Sequence, residues 1–289
     1  MAAPARIRTR LGSWIERAQN VGRRVELLRG RHASVDLGMS VFERDSSIGG
    51  GLLAGALAYR LFVLLLPTAL LLVSALGLYA DAADKSTTSV AKDAGLHGLI
   101  ASEVASSSAS RAGWIIFLLM LPAVLYALAK LYRAVAVMHA IAWHGSGRRV
   151  RTTPKGVALL GLALLVTVGA ADLAGWARRS NGAGGAAALA AYLAVVGASW
   201  LVVSMQLPHG EAPWHALLPG ACLVALGLLV VNVFNVYVTA RTVENQANTY
   251  GALGIAAALL FSLVLVGRVI VVSAELSASL ADRRDSRGQ

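Results

Sequence analysis

Six long apolar runs constrain this chain more than any other feature. From Leu61 to Ala80 there are 20 residues without a charge, and a helix of about 20 apolar residues crosses a hydrocarbon core of about 30 Å. Comparable runs recur along the chain, and the spans are expected at about 52–80, 112–131, 156–177, 186–207, 216–240 and 250–272. In lipid every backbone N–H and C=O needs a partner inside the protein, so apolar runs of this length must be helices. Composition agrees. The 289 residues are 57% hydrophobic and 14% charged, against roughly 25% charged in a soluble domain. The expected fold is therefore all-α: a polytopic membrane protein with a cytoplasmic segment 1–47, a six-helix domain 48–280 and a cytoplasmic tail 281–289.

The positive charge sets the expected orientation. With six spans both termini share one side. The segments on that side hold 17 Lys and Arg, and the opposite links hold six, so the positive-inside rule puts N and C termini in the cytoplasm. Arg178 and Arg179 are a local exception. Net charge is +11, with 22 of 26 basic residues Arg, but those charges fall between apolar runs, so no nucleic-acid partner is expected. The first 50 residues do not read as a cleavable signal. Instead Ile7, Leu11, Trp14, Ile15, Ala18, Val21, Val25 and Leu28 recur at helical spacing, with Arg residues largely off that stripe. This pattern predicts a basic amphipathic helix, suited to an anionic membrane surface or to the protein's own inner face. Residues up to Ser47, including Asp36, Glu43 and Asp45, read as a polar approach to the first span. Tyr79, Trp114, Trp176, Tyr192, Tyr237 and Tyr250 fall near the expected outer boundary, as in an aromatic belt.

Three stretches carry a family likeness. They are ALAYRLFVLLLPTALLLVSALGLYAD (Ala56–Asp81) with Pro67 in the span, HALLPGACLVAL (His215–Leu226) with Pro219 and Gly220 opening the fifth span, and NTYGALGIAAALL with VSAEL (Asn248–Leu260 and Val272–Leu276), which includes Tyr250 and Gly251. On these residues the chain resembles the YihY/BrkB family of six-span bacterial inner-membrane proteins. The resemblance implies six helices with both termini inside and a place in the cytoplasmic membrane. Members are linked to envelope and virulence phenotypes, and some are suspected of transport. The family was once labelled ribonuclease BN, a label widely regarded as a misassignment, and the resemblance supplies no catalytic residues. One departure stands out. Arg268 interrupts an apolar run that related sequences more often keep whole.

Charges at membrane depth cost about 2.5–3.5 kcal/mol each on insertion scales, which singles out Arg60, Asp172, Arg268 and Glu275. Span one leaves the inner side and span six returns to it, so Arg60, Arg268 and Glu275 share an inner layer, with Lys130 close by. Two readings follow: a charged vestibule for an anionic group such as a lipid headgroup, or snorkelling Arg side chains with Glu275 pairing to lock helices. In the outer half, Asp172 matches the depth of Asn232 and Asn235, three residues apart on one helix face. They make either a polar patch for a substrate or proton, or an interhelical clamp worth about 0.6 kcal/mol per contact. Arg178 and Arg179 are alternative partners for Asp172.

Enzyme chemistry has no foothold. The six His and the single Cys222 lack metal-site spacing, and no GxSxG, P-loop or HExxH is present. The chain is expected to be no enzyme and to need no cofactor. Its expected partners are membrane lipids, with anionic headgroups at the basic inner face. Two functions remain: a transporter or flippase for a lipid or envelope-related solute, or a non-transporting membrane scaffold. The first needs an accessible cavity reaching the charges; the second needs those charges paired and closed.

Overall fold

A computed structural model of the chain describes residues 33–82, 111–144, 150–180, 182–210, 212–239 and 252–288. These form α1 (Ala33–Ile48), α2 (Gly50–Ala82), α3 (Arg111–His144), α4 (Pro154–Arg179), α5 (Ala183–Ser204), α6 (Leu218–Phe234) and α7 (Ala252–Gly288). A single 3-10 turn, Trp214–Ala216, leads into α6, and a π turn, Asn235–Thr239, follows it. No strand occurs among the described residues. The expected basic helix at 7–28 lies outside them, as do Tyr250 and Gly251 of the family motif.

Six helices are long and apolar enough to cross a membrane: Gly50–Ala80, Gly113–Trp143, Pro154–Arg179, Ala183–Ser204, Trp214–Tyr237 and Ala256–Arg284. Only 11–33% of each apolar window is buried inside the protein, and large apolar side chains such as Leu66, Leu118, Leu165 and Val230 point outward. Such a surface is stable only against lipid. The chain is a multi-pass membrane protein.

Local chemistry explains the helix ends. Thr153 has an extended backbone and its Oγ1 accepts from Gly156 N at 3.2 Å, with Pro154 at the first helical position, so α4 starts on a side-chain cap. Gly49 joins α1 to α2 at φ 69°, where a side chain would be strained. Pro67 does not break α2. The helix runs through it for 33 residues, about 50 Å at about 1.5 Å per residue, and Thr68 Oγ1 donates to Leu64 O at 2.8 Å.

Two helices outrun their apolar stretches. α3 continues past Leu131 to His144, because Ala134–Ala142 stays apolar apart from His139 and packs into the core. α7 continues through the tail to Gly288. Residues 33–48, read from sequence as a polar approach, are helical and lie on α7.

The main core lies toward the end that carries α1. Leu57 of α2, Leu131, Tyr132 and Val135 of α3, Leu160 of α4, Val203 of α5, Val224 of α6 and Val271 of α7 meet there. Tyr132 ties three helices: its OH donates to Gln206 O at 3.2 Å and lies 3.4 Å from Thr153 Oγ1. A Cβ on Gly156 would strike its ring. A second cluster, Ala170, Ala174, Tyr192, Val196 and Ala225, joins α4, α5 and α6 nearer the opposite end. Tyr192 is thus buried at 2% exposure, not part of the outer belt, whereas Tyr79, Trp114, Trp176 and Tyr237 are exposed. Between helices already in lipid, association rests on close packing rather than on removal of water, and glycines set that closeness. At Gly267 of α7 a Cβ would come within 2.5 Å of Ala54 O on α2.

Candidate functional site

The charges expected to form one inner vestibule divide into two places, both toward the end of the bundle that carries α1. The first is a groove between α2 and α3. Arg60 is exposed on α2, and one helical turn or so apart on α3 stand Lys130 and exposed Arg133. With Leu53, Ala56, Leu57, Ala134, Val137 and Met138 they line a cavity of about 320 Å³ that contains no acidic residue. The cations are held in place by their own helices. The Lys130 ammonium lies 5.0 Å from the Tyr126 ring centroid and the Arg60 guanidinium 6.0 Å from that of Tyr59, distances at which cation–π attraction acts. Three cations thus stand beside an apolar wall.

The second place is the junction of α1 with α7. Arg268 donates to both oxygens of Asp45, Nη1 to Oδ1 at 2.7 Å and Nη2 to Oδ2 at 3.0 Å, the bidentate geometry that makes Arg–carboxylate pairs strong. Two further pairs extend the contact: Arg44 with Asp282 at 2.7 Å and Arg283 with Asp36 at 2.7 Å. Arg283 also donates to Ser40 Oγ at 3.1 Å. Asp45 is the residue that sequence reasoning missed here. Its only sequence signal is complementarity: acids at 36 and 45 meet bases at 283 and 268, and nothing along the chain links the two sets.

Glu275 lies beside this junction and is fully buried, at 0% exposure. Among the described residues no hydrogen-bond donor reaches either carboxyl oxygen. Glu275 does not form the helix-locking pair with Arg60 or Arg268 that one reading of the sequence expected. Its side chain faces Gly50 at the start of α2, while the flanking serines of α7 face α6. Gly220 N donates to Ser277 Oγ at 3.0 Å, and a Cβ on Gly220 would come within 2.5 Å of Ser273 O. The LPG motif opening α6 and the VSAEL motif of α7 are therefore two sides of one contact. Pro219 lies in the first turn of α6, where its missing N–H leaves no helical bond unmade.

The outer polar residues separate as well. Asn232 accepts from Arg178 Nη1, and Asn235 Oδ1 accepts from Ser262 Oγ at 2.7 Å, so each tethers α6 to a different helix, α4 and α7 respectively. Asp172 joins neither and is exposed on α4. Among the described residues no group of three His, Cys, Asp or Glu is placed to hold a metal ion. His139 instead stacks on Trp143 with ring centroids 6.0 Å apart, and His209 meets the same indole edge-on at 6.4 Å.

Comparison with known proteins gives one match. The family described as Virulence factor BrkB matches residues 41–289. No curated protein and no solved structure matches the chain. The matched region starts within α1 and takes in the groove and the Arg268–Asp45 and Arg44–Asp282 pairs of the junction, with Asp36 and Ser40 just before it.

Proposed function

The chain belongs to the Virulence factor BrkB family, and from that premise we propose that it is a cytoplasmic-membrane protein that binds anionic lipid headgroups at its inner face and moves a lipid or envelope-related solute. The excess of Lys and Arg on the side of the termini supports that orientation. The observation that carries the reading is the α2–α3 groove, where Arg60, Lys130 and Arg133 stand together without a balancing carboxylate. In water such a cluster repels itself, so an anion filling it stabilises the arrangement. The 20 charge-free residues beyond Arg60 span about 30 Å, which sets the three cations at headgroup depth. The apolar lining, Leu53 to Leu57 and Ala134 to Met138, lies on the inner side of the cations, and acyl chain meets the apolar faces of α2 and α3 on their outer side. The reading assigns no catalytic step and no cofactor.

Reconstitution tests it. Protein in nanodiscs is expected to retain phosphatidylglycerol over phosphatidylcholine, and Arg60→Gln with Lys130→Gln and Arg133→Gln is expected to lower that preference at least tenfold. Added salt should weaken retention in the wild type. Equal retention of both lipids by the wild type overturns the binding site. Absence of lipid movement in vesicles of several lipid classes, with binding intact, favours the scaffold instead. One observation favours that second reading: Arg268 and Arg283 are already paired with acids of α1, and Arg44 of α1 with Asp282 of α7, as a static latch requires.

A further inference from the structure

At the α1–α7 junction Asp36, Asp45 and Asp282 are each paired with an arginine, and Glu275 is not. Asp45 is taken up by Arg268. Arg44 is committed to Asp282, and Arg283 to Asp36. Glu275 is left sealed from solvent, and among the described residues no donor reaches either oxygen. The two acids face each other across the start of α2. A Cβ on Gly50 would overlap Asp45 Oδ1 and stand 3.1 Å from Glu275 Oε1, so only a glycine admits both. The charged groups that bear on Glu275 are Asp45 and Arg44 from α1 and Arg268 from its own helix. α2 contributes only the glycine here.

A buried carboxylate without a counter-charge is strongly unfavourable, and of the two beside the Arg268 guanidinium only Asp45 is bonded to it. We propose that the space between Asp45 and Glu275 at Gly50 is a site for a single positive charge, either a proton or a small monovalent cation, whose presence keeps α1 docked on α7. Chemistry narrows the occupant. The Arg268 guanidinium beside the site opposes a second full positive charge, which favours a proton or a monovalent cation over a divalent metal. With the charge in place, Asp45 keeps its bidentate bond and Glu275 closes over it. With the charge removed, the carboxylates repel across Gly50 and Asp45 draws away from Arg268. α1 then loses the innermost of its three ion pairs with α7. The site is separate from the cationic α2–α3 groove and stands whether or not that groove binds lipid.

The test uses the full chain in nanodiscs, with two arms that separate the occupants. Infrared difference spectra after a pH jump are expected to show a buried protonated-carboxyl C=O band, absent in Glu275→Gln, when the occupant is a proton. Replacing choline by sodium at constant ionic strength is expected to raise the melting temperature by several degrees in the wild type, and not in Glu275→Gln, when the occupant is a metal cation. In both cases Glu275→Gln, an uncharged isostere, is expected to keep α1 docked, read as unchanged mobility of a spin label at Ser46 in a Cys222→Ser background. A wild type that shows neither the band nor the sodium effect overturns the site. So does a Glu275→Gln protein whose α1 label becomes mobile, because that result means the carboxylate is itself a paired anchor. Should Glu275→Gln fail to fold, the wild-type spectra and the sodium titration still decide.

Discussion

At the residue scale, the glycines of this protein sort by what a methyl group would meet, and the sorting predicts stability. A Cβ on Gly220 meets the backbone of Ser273 within 2.5 Å, and one on Gly267 meets the backbone of Ala54 at the same distance. Backbone on both sides cannot step aside, so Gly220→Ala and Gly267→Ala are each expected to destabilise the protein by about 1–3 kcal/mol, as overpacked cores do. At Gly197 the nearest atoms are Ala225 Cβ at 3.7 Å and Ala221 O at 3.8 Å, an ordinary contact, so Gly197→Ala is expected to be neutral within about 0.5 kcal/mol. Thermal unfolding of the three variants in one detergent checks the order. Gly220 was visible in the sequence as part of a motif; that its partner is Ser273 was not, because 53 residues separate them. Glu275 shows the same limit. Its late position in an apolar run was plain, but only packing reveals that the side chain is sealed without a partner.

At the element scale, α1 is the part that hydropathy alone leaves unplaced. Its composition is mixed, and its role comes from three ion pairs with α7. These pairs are unequal. Asp45 is 14% exposed and bound bidentately, whereas Asp282 is 64% exposed. Exposed pairs contribute about 0.2–1 kcal/mol, and hydrogen bonds to charged groups about 1.5–3 kcal/mol. A double-mutant cycle of Asp45→Asn with Arg268→Gln is therefore expected to give a coupling about twice that of Arg44→Gln with Asp282→Asn, measured by unfolding in detergent. Equal couplings would place the anchor of α1 elsewhere. A proline inside a span is a candidate hinge. α2 nevertheless runs unbroken through Pro67 and α3 through Pro122; Pro67 offers no N–H to Val63 O, and Thr68 Oγ1 donates to the next carbonyl, Leu64 O. Pro67→Ala is expected to leave lipid retention unchanged within about twofold and stability unchanged or slightly raised, because it restores a helical N–H. A large loss of retention would restore the hinge.

At the scale of the whole molecule, α7 touches α1, α2, α3 and α6 and so joins hairpins α2–α3 and α6–α7, while hairpin α4–α5 packs on α6 through α5 and on α3 through α4. The inner half holds the larger core and all the ion pairs formed with α1. The outer half keeps long apolar side chains of α2 and α3 exposed, Leu70, Leu72, Leu118 and Leu119 among them. A molecule tied at its inner end and lightly packed at its outer end opens most easily outward. Hydrogen exchange in nanodiscs is expected to run faster at the outer ends of α2 and α3 than at Tyr132 or Val271. Uniform protection along both helices would count against that division and in favour of a rigid scaffold. Orientation has its own check: fusions at either terminus are expected to report from the cytoplasm.

What the sequence by itself determined is the part governed by neighbours along the chain. Hydropathy over about 20 residues decides whether a segment crosses lipid, because each residue contributes its own transfer free energy. Six spans, all-helical structure and the family likeness follow from that and from local motifs. Which charges meet is a different kind of quantity. Arg60, Arg268 and Glu275 lie in one inner layer by sequence, yet rotation about each helix axis sends Arg60 to the α2–α3 groove, Arg268 to Asp45 of α1, and Glu275 into a closed pocket against Gly50. Asp172 and Asn232 share a depth and still part, one to the surface and one to Arg178. Depth is set along a helix and can be counted. Facing is set by how several helices pack together, and only the tertiary structure decided it.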